Sequence, residues 1–574
     1  MTRTIVSAHG ITKAWWKGAT VYQIYPSSFC DSNGDGVGDL GGITSKLDYL
    51  KDLGVDVVWL CPIFKSPQLD MGYDISDYKD VHAPYGSVAD VDKLIAELHA
   101  RGMKLVLDLV VNHSSDEHPW FIESKSSKDS PKRDWYIWRP AKYDSDGNRH
   151  PPNNWRASLG GGSVWEWDEG TQEYYLHYYV AEQPGEELFG LTRVAMAIEW
   201  TSLGVFPKYV RTKQPMLTAG HDLPGRAGHR PHGQVAGVWP QAWEMHKEVL
   251  SKYDVLTVGE FNQIDFTTML KFVHPSRNEL QMGFNFDHVN IGLSPSERYL
   301  IQPWELKELK AILARWQSFR ETGAWHASYL ENHDQPRSIS RYANDSPEWR
   351  VASGKLLAMM HATMFGTLYV YQGQEIGMIN LPNTWPLEEW KDVQTQNVVT
   401  AIFKAGIDVE AKTKLAYVKA RDNARSPMQW SAEPGAGFSS AEPWMRIPDD
   451  HKVCNVASQL EDADSVLSFW RQIIKFRKDH EDDLVRLSFV IQADCQVYGN
   501  FTHLSPEDNE VFAYVRANSL LVALNFTDHQ VAYQPPISVK GATLLKSTAP
   551  AAEACLEDTV VLSPYQGVVY QLTV

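Results

Sequence analysis

Short runs of β-branched and aromatic residues recur along the chain, each ending in a polar or glycine-containing loop and most followed by a stretch with helical apolar spacing. Seven such runs predict strands: Ala19–Tyr25, Val55–Leu60, Lys104–Val110, Val255–Val258, Gln281–Phe286, His326–Leu330 and Thr367–Tyr371. Several are apolar nearly throughout, which suits parallel strands buried on both faces. The segment DVDKLIAELHA, residues 90–100, places Val91, Leu94, Ile95 and Leu98 on one stripe and predicts an amphipathic helix. Repeated βα units of this kind predict an α/β fold, a (β/α)8 TIM barrel with one strand unaccounted for.

Two stretches break the alternation. The interval from Asn112 to Asp254 is far too long for an ordinary βα connection. Its first part, residues 114–180, is rich in Trp, Asn, Gly and Asp and predicts an inserted loop-rich subdomain. Near the end, the runs VFAYVRA, SLLVALNF, QVAYQ and VVLSPYQGVVYQLTV predict a C-terminal antiparallel β-domain. The domain expectation is therefore a barrel over 12–113 and 181–490, an insert over 114–180 and a β-domain over 491–574, with the fourth-strand region atypical.

Composition narrows the partners. The 574 residues hold 54 Lys and Arg against 71 Asp and Glu, a formal charge of -17, which argues against nucleic acid or an anionic membrane surface. No run approaches the roughly 20 apolar residues of a membrane span. The 21 Trp, 25 Tyr and 20 Phe offer flat faces of the kind that cover sugar rings. Cys30, Cys61, Cys454, Cys495 and Cys555 are scattered and lack CxxC spacing, so five buried free thiols in a cytoplasmic protein are expected. Oligomeric state is not legible.

In a barrel the residues at strand C-termini face the active site. Here they are Asp108, Asn112 and His113 after the third strand, Glu260 after Val255–Val258, and Glu331, Asn332, His333, Asp334, Gln335 and Arg337 after His326–Leu330. Carboxylates, imidazoles and amides converge without a thiol or a phosphate loop. Each has an ordinary structural explanation alone; together on one face they predict a site.

The stretches AWWKGATVYQIYPSSFCDSNGDGVGDLGGI, GVDVVWLCPIFKSP, MGYDISDY, DLVVNHSS, TVGE, ENHDQPR, YQGQEIGM and RDNARSPMQW resemble the alpha-amylase superfamily, specifically its maltase and oligo-1,6-glucosidase branch. The resemblance covers nearly the whole chain except one segment. It implies a retaining α-glucosidase acting on terminal bonds of maltose, isomaltose, sucrose or short oligosaccharides, with two carboxyls about 5 Å apart. By motif, Glu260 corresponds to the general acid/base and Asp334 to the carboxylate that orients the sugar hydroxyls. His113 and His333 match histidines that bond the glucose, Asp74 the pocket carboxylate, Tyr73 the residue that stacks on the ring, and Arg425 the partner of Asp74. Tyr179 stands where the family commonly has Phe. Within enzymes the rival is a transglycosylase or sucrose isomerase; from another class, a catalytically dead sugar-binding homologue.

Asp31, Asn33, Asp35, Val37 and Asp39 repeat oxygen-bearing groups at every second residue, the Val37 contribution being its carbonyl. The twelfth position is Gly42, so an EF-hand is excluded. The resemblance implies Ca2+ in the first βα loop; an Asx-turn loop without metal is the alternative.

The family's nucleophile, an aspartate in Gly-aromatic-Arg-x-Asp at the end of the fourth strand, is missing. Residues 185–242 carry no family resemblance, which resumes at Glu244–Asp254. Read from the third base of Ala195 through Ser202, the degenerate codons become NAU, GGC, NAU, HGA, RUG, GAC and NUC, which permit Asp-Gly-His-Arg-Met-Asp-Val or the same with Tyr for His. The GGC glycine and the GAC aspartate are forced. A shifted reading frame or a misplaced splice junction is therefore expected here. Within the present text, Val194–Trp200 is apolar enough to stand in as a strand, Glu199 or Asp222 is a poor substitute for a precisely placed nucleophile, and loss of the native strand is expected to expose two sheet edges.

Overall fold

The computed structural model describes residues 13–159, 162–185, 193–197, 246–247, 250–262, 264–293, 301–406, 408–480, 499–550 and 552–573. Its central sheet has eight strands: β1 Thr20–Ile24, β2 Val57–Leu60, β3 Lys104–Leu109, β4 Arg193–Ala197, β5 Leu256–Phe261, β6 Met282–Asn285, β7 Ala327–Ser328 and β8 Thr367–Tyr371. They hydrogen-bond in the order β6-β5-β4-β3-β2-β1-β8-β7. Seven run parallel, while β4 is antiparallel to both β3 and β5.

All seven expected strands are present, Thr367–Tyr371 at its expected bounds and the others with shifted ends. The largest trimming is at β7, where only Ala327–Ser328 pair out of His326–Leu330. Strand β5 instead runs past Val258 to Phe261, because its ladder with β6 continues to Phe261 opposite Asn285. The eighth position is filled by Arg193–Ala197, which overlaps the stretch Val194–Trp200 expected to stand in as a strand; residues 198–200 lie outside the described residues. The two sheet edges expected from a missing fourth strand are thus covered: β4 pairs Ala195 with Asp108 on one side and with Val258 on the other. A backbone ladder accepts a strand of either direction, whereas a βα crossover delivers a parallel one.

Period-two alternation divides the strand side chains between two cores. Val21, Val57, Trp59, Val106, Leu256, Val258, Met282, Phe284 and Tyr369 pack together on the inner face. Tyr22, Ile24, Val58, Leu60, Leu105, Leu107, Leu368 and Val370 pack outward against helices. The predicted helix spans Val88–Ala100, buries Val91, Leu94, Ile95 and Leu98, and starts with a capping box between Ser87 and Asp90.

The 114–180 stretch holds a helix, Pro119–Lys125, and a three-stranded antiparallel sheet of Trp138–Arg139, Glu173–Leu176 and Trp165–Asp168. At the C-terminus a five-stranded antiparallel sheet contains Phe501–Leu504, Val511–Arg516, Leu520–Asn525, Gly567–Gln571 and Thr543–Ser547. Cys30, Cys61 and Cys454 are buried free thiols; Cys555 is exposed, contrary to expectation, and Cys495 lies outside the described residues. Among the described residues no helix is long and apolar enough to cross a membrane.

Candidate functional site

Strand parity builds the floor of the site. Two residues beyond Val21, Trp59, Val106 and Val258 on the same inward face stand Gln23, Cys61, Asp108 and Glu260, one layer nearer the strand C-termini. Glu260 lies within β5, not after it, opposite Phe284 of β6, and is half-buried. Burial, and then the nearby charge of Glu260, push the Tyr329 phenol well above its usual range. Glu260 therefore lies near Tyr329, the residue that directly follows β7.

A buried hydrogen-bond chain crosses this face. Trp59 Nε1 donates to Asp108 Oδ1 and Tyr73 Oη to Asp108 Oδ2, both at 2.7 Å. Tyr73 Oη is also 2.7 Å from His333 Nε2. The Tyr73 ring, expected to stack on a sugar, lies parallel to the His333 imidazole at 5.4 Å, and Tyr25 is parallel to the same imidazole at 6.4 Å. His113 Nε2 meets the Tyr73 carbonyl at 2.8 Å, and its ring is edge-on to Tyr179. Asp74 is fully buried; burial pushes its carboxyl up to about 6, against backbone N–H groups of Leu69 and Asp70 that favour the charged form.

Asp334 collects nitrogen groups. Arg425 Nη2 donates to its Oδ1 at 2.6 Å, Arg421 Nη1 stands 3.6 Å from the same oxygen, and His333 Nε2 is 3.4 Å from Oδ2. This corrects the expected pairing of Arg425 with Asp74: Arg425 pairs with Asp334, because its guanidinium is anchored by Nε on the His333 carbonyl at 3.0 Å. Arg425 Nη1 is buried without a hydrogen-bond partner. Arg421 is held by Asp70 and Asp392, the latter also capping the helix Val393–Ala405.

A model of the alpha amylase catalytic domain matches residues 23–187 and 236–486. An α-glucosidase of Schizosaccharomyces pombe is 41% identical, covering 99% of this chain and 100% of that protein. The chain belongs to the alpha-amylase family. An oligo-1,6-glucosidase of Parageobacillus thermoglucosidasius is also 41% identical, over 98% of this chain and 99% of that protein. Among solved structures, a mutant isomaltulose synthase from Erwinia rhapontici NX5 in complex with its natural substrate sucrose superposes with a TM-score of 0.86 at 32% identity, covering 98% of this chain and 100% of that one.

The family match leaves out residues 188–235, the part of the chain where the nucleophile motif is missing and where the antiparallel β4 lies. Glu199 and Asp222 fall outside the described residues.

In the first βα loop the acidic side chains make Asx turns. Asp31 accepts from the backbone of Asn33, Gly34 and Gly36 and from Ser439 Oγ; Asn33 Oδ1 accepts from Asp35 N, and Asp35 Oδ1 from Val37 N. Asp39 caps the helix Leu40–Ser45 through Gly42 N and accepts from Ser32. Among the described residues no group of three or more His, Cys, Asp or Glu is gathered as for a metal ion. The donor set is nonetheless all oxygen, as a hard cation needs, with Asp39 directed to the helix.

Gln23, Trp59, Arg421, Asp70 and Asp392 were not singled out from the sequence. Parity with Val21 and Val57 marks the first two as inward; Arg421 sits one helical turn before Arg425.

Proposed function

We propose that this protein descends from retaining α-glucosidases that release terminal glucose from maltose, isomaltose, sucrose or short oligosaccharides, and that the chain as written lacks the attacking carboxylate. The observation that carries the sugar pocket is Asp334, whose oxygens face Arg425 Nη2 at 2.6 Å, Arg421 Nη1 at 3.6 Å and His333 Nε2 at 3.4 Å, with the Tyr73 ring parallel to the same imidazole. In this reading Glu260 protonates the leaving oxygen, Asp334 orients the hydroxyls next to the reacting carbon, and Asp74, Tyr73, His113, His333 and Arg425 hold the terminal glucose. The eight sheet positions form a closed (β/α)8 barrel over 12–113 and 181–490, carrying the 114–180 insert and the 491–574 β-domain. Contact between β6 and β7 supports closure. The protein is cytoplasmic, and Ca2+ binds Asp31, Asn33, Asp35 and the Val37 carbonyl, with Asp39 fixing the far end of the loop.

The native frame across residues 188–235 encodes Gly-aromatic-Arg-x-Asp, so that the fourth strand runs parallel and ends in the nucleophile. Support comes from the gap in the family match, the reversed direction of β4 and the forced GGC and GAC triplets. The test is to sequence the transcript across the codons for Gln183 to Glu244 and assay both versions on maltose, isomaltose and sucrose. Turnover by the restored chain alone is expected. Isomaltulose as the main product from sucrose moves the reading to a sucrose isomerase. A transcript that encodes the chain as written, with a folded protein that binds glucose without turnover, moves it to a sugar-binding homologue. Turnover by the chain as written overturns the account of the nucleophile.

A further inference from the structure

Gln23 is assigned no role in the sugar pocket, yet it touches the imidazole at its centre. It lies on β1 with the inward parity of Val21 and is 2% exposed. Its Nε2 stands 2.9 Å from His333 Nδ1 and 3.4 Å from Cys61 Sγ. An amide nitrogen has two hydrogens and no lone pair to offer, so Nδ1 is the acceptor. A neutral imidazole carries one proton, which then sits on Nε2, 2.7 Å from Tyr73 Oη. With its oxygen accepting from Nε2–H, Tyr73 directs its own hydrogen to Asp108 Oδ2, 2.7 Å away. The donors therefore run one way, from Gln23 to His333 to Tyr73 to Asp108, and each bond polarises the next.

We propose that Gln23 is a positioning residue that fixes the Nε2–H tautomer of His333 and so sets the direction of the whole chain. Resting on the sugar-pocket reading, the consequence is that the Nε2–H of His333 is held on Tyr73 Oη while Tyr73 keeps its own hydrogen on Asp108, so that the stacked Tyr73 and His333 rings are presented to the glucose in one fixed arrangement. With Nδ1 protonated instead, Nε2 becomes an acceptor, the Tyr73 hydrogen turns to it, and Asp108 loses that donor. The arrangement consumes and forms no covalent bond; only the side of the imidazole that carries the proton is decided.

The test is nitrogen NMR of the full chain labelled at histidine, the His333 signals being assigned by their loss in His333→Gln. At pH 7.5 the unaltered protein is expected to show a pyridine-type Nδ1 and a protonated Nε2. Gln23→Glu places an acceptor against Nδ1 and is expected to protonate it; glucose affinity by calorimetry should fall about tenfold, the worth of one net hydrogen bond. A protonated Nδ1 in the unaltered protein overturns the proposal, as does an unprotonated Nδ1 in folded Gln23→Glu. If Gln23→Glu does not fold, the tautomer of the unaltered protein decides. Absence of glucose binding by the unaltered protein counts against the sugar pocket alone, since the tautomer is read without ligand.

Discussion

Arg425 grips Asp334 from Nη2 at 2.6 Å while its Nε holds the carbonyl of the preceding residue, His333, at 3.0 Å. Side chain and backbone of one loop are thus fastened by a single planar fork, which a lysine cannot reproduce. Arg425→Lys is expected to weaken glucose binding about a hundredfold, on the order of 3 kcal/mol for disturbing a buried charge pair. Calorimetry measures it, and an affinity within twofold of the unaltered protein would refute the role.

Acid should destabilise the fold through histidines away from the pocket. Burial lowers His288 and His361 to about 3 and His326 to about 4, from an ordinary value near 6.5. The unfolded chain binds these protons from pH 6.5 downward while the folded chain refuses them, so stability is fully present above about pH 6.5 and declines as pH falls toward 4. Melting temperature measured across that window should drop. His361→Gln should flatten part of the slope; an unchanged slope in that variant would remove His361 from the account.

Calcium should raise the melting temperature of the full chain. A ligand bound only by the folded state contributes about 2.7 kcal/mol at a hundredfold excess over Kd. Chelation should reverse the gain, and Asp35→Ala should abolish it. A melting curve indifferent to both calcium and chelator leaves the Asx turns of Asp31, Asn33 and Asp35 as the whole function of the loop.

The C-terminal sheet is tied to the helix Leu306–Gln317 through the buried Lys310 and through Arg516 Nη1, which donates to Gln317 Oε1 at 3.1 Å. Lys310 Nζ donates to the carbonyls of Ser505, Asp508 and Val511 at 2.7, 2.7 and 2.9 Å, so all three of its hydrogens have acceptors. Lys310→Met leaves three carbonyls without that donor and should cost roughly 3 kcal/mol. Differential calorimetry reads the loss, and limited proteolysis should cut first between residues 504 and 511. Unaltered melting and cleavage would show that the sheet is held without Lys310.

The sequence by itself determined the elements and their faces. Alternation along Thr20–Ile24 and Lys104–Leu109 puts Gln23 and Asp108 inward, and helical spacing puts Val91, Leu94, Ile95 and Leu98 on one buried stripe, because side-chain direction follows from local backbone geometry alone. The motifs likewise mark Asp74, His113, Glu260, His333, Asp334 and Arg425 without reference to any contact. Only the tertiary structure decided which of them pair. Arg425 meets Asp334 rather than Asp74, and the Tyr73 ring lies on His333, since such pairings depend on how loops from distant strands are fastened over the sheet. Direction was also beyond reach: a short run such as Arg193–Ala197 has the same periodicity read either way, and the ladders of β3 and β5, not the run itself, admit it antiparallel.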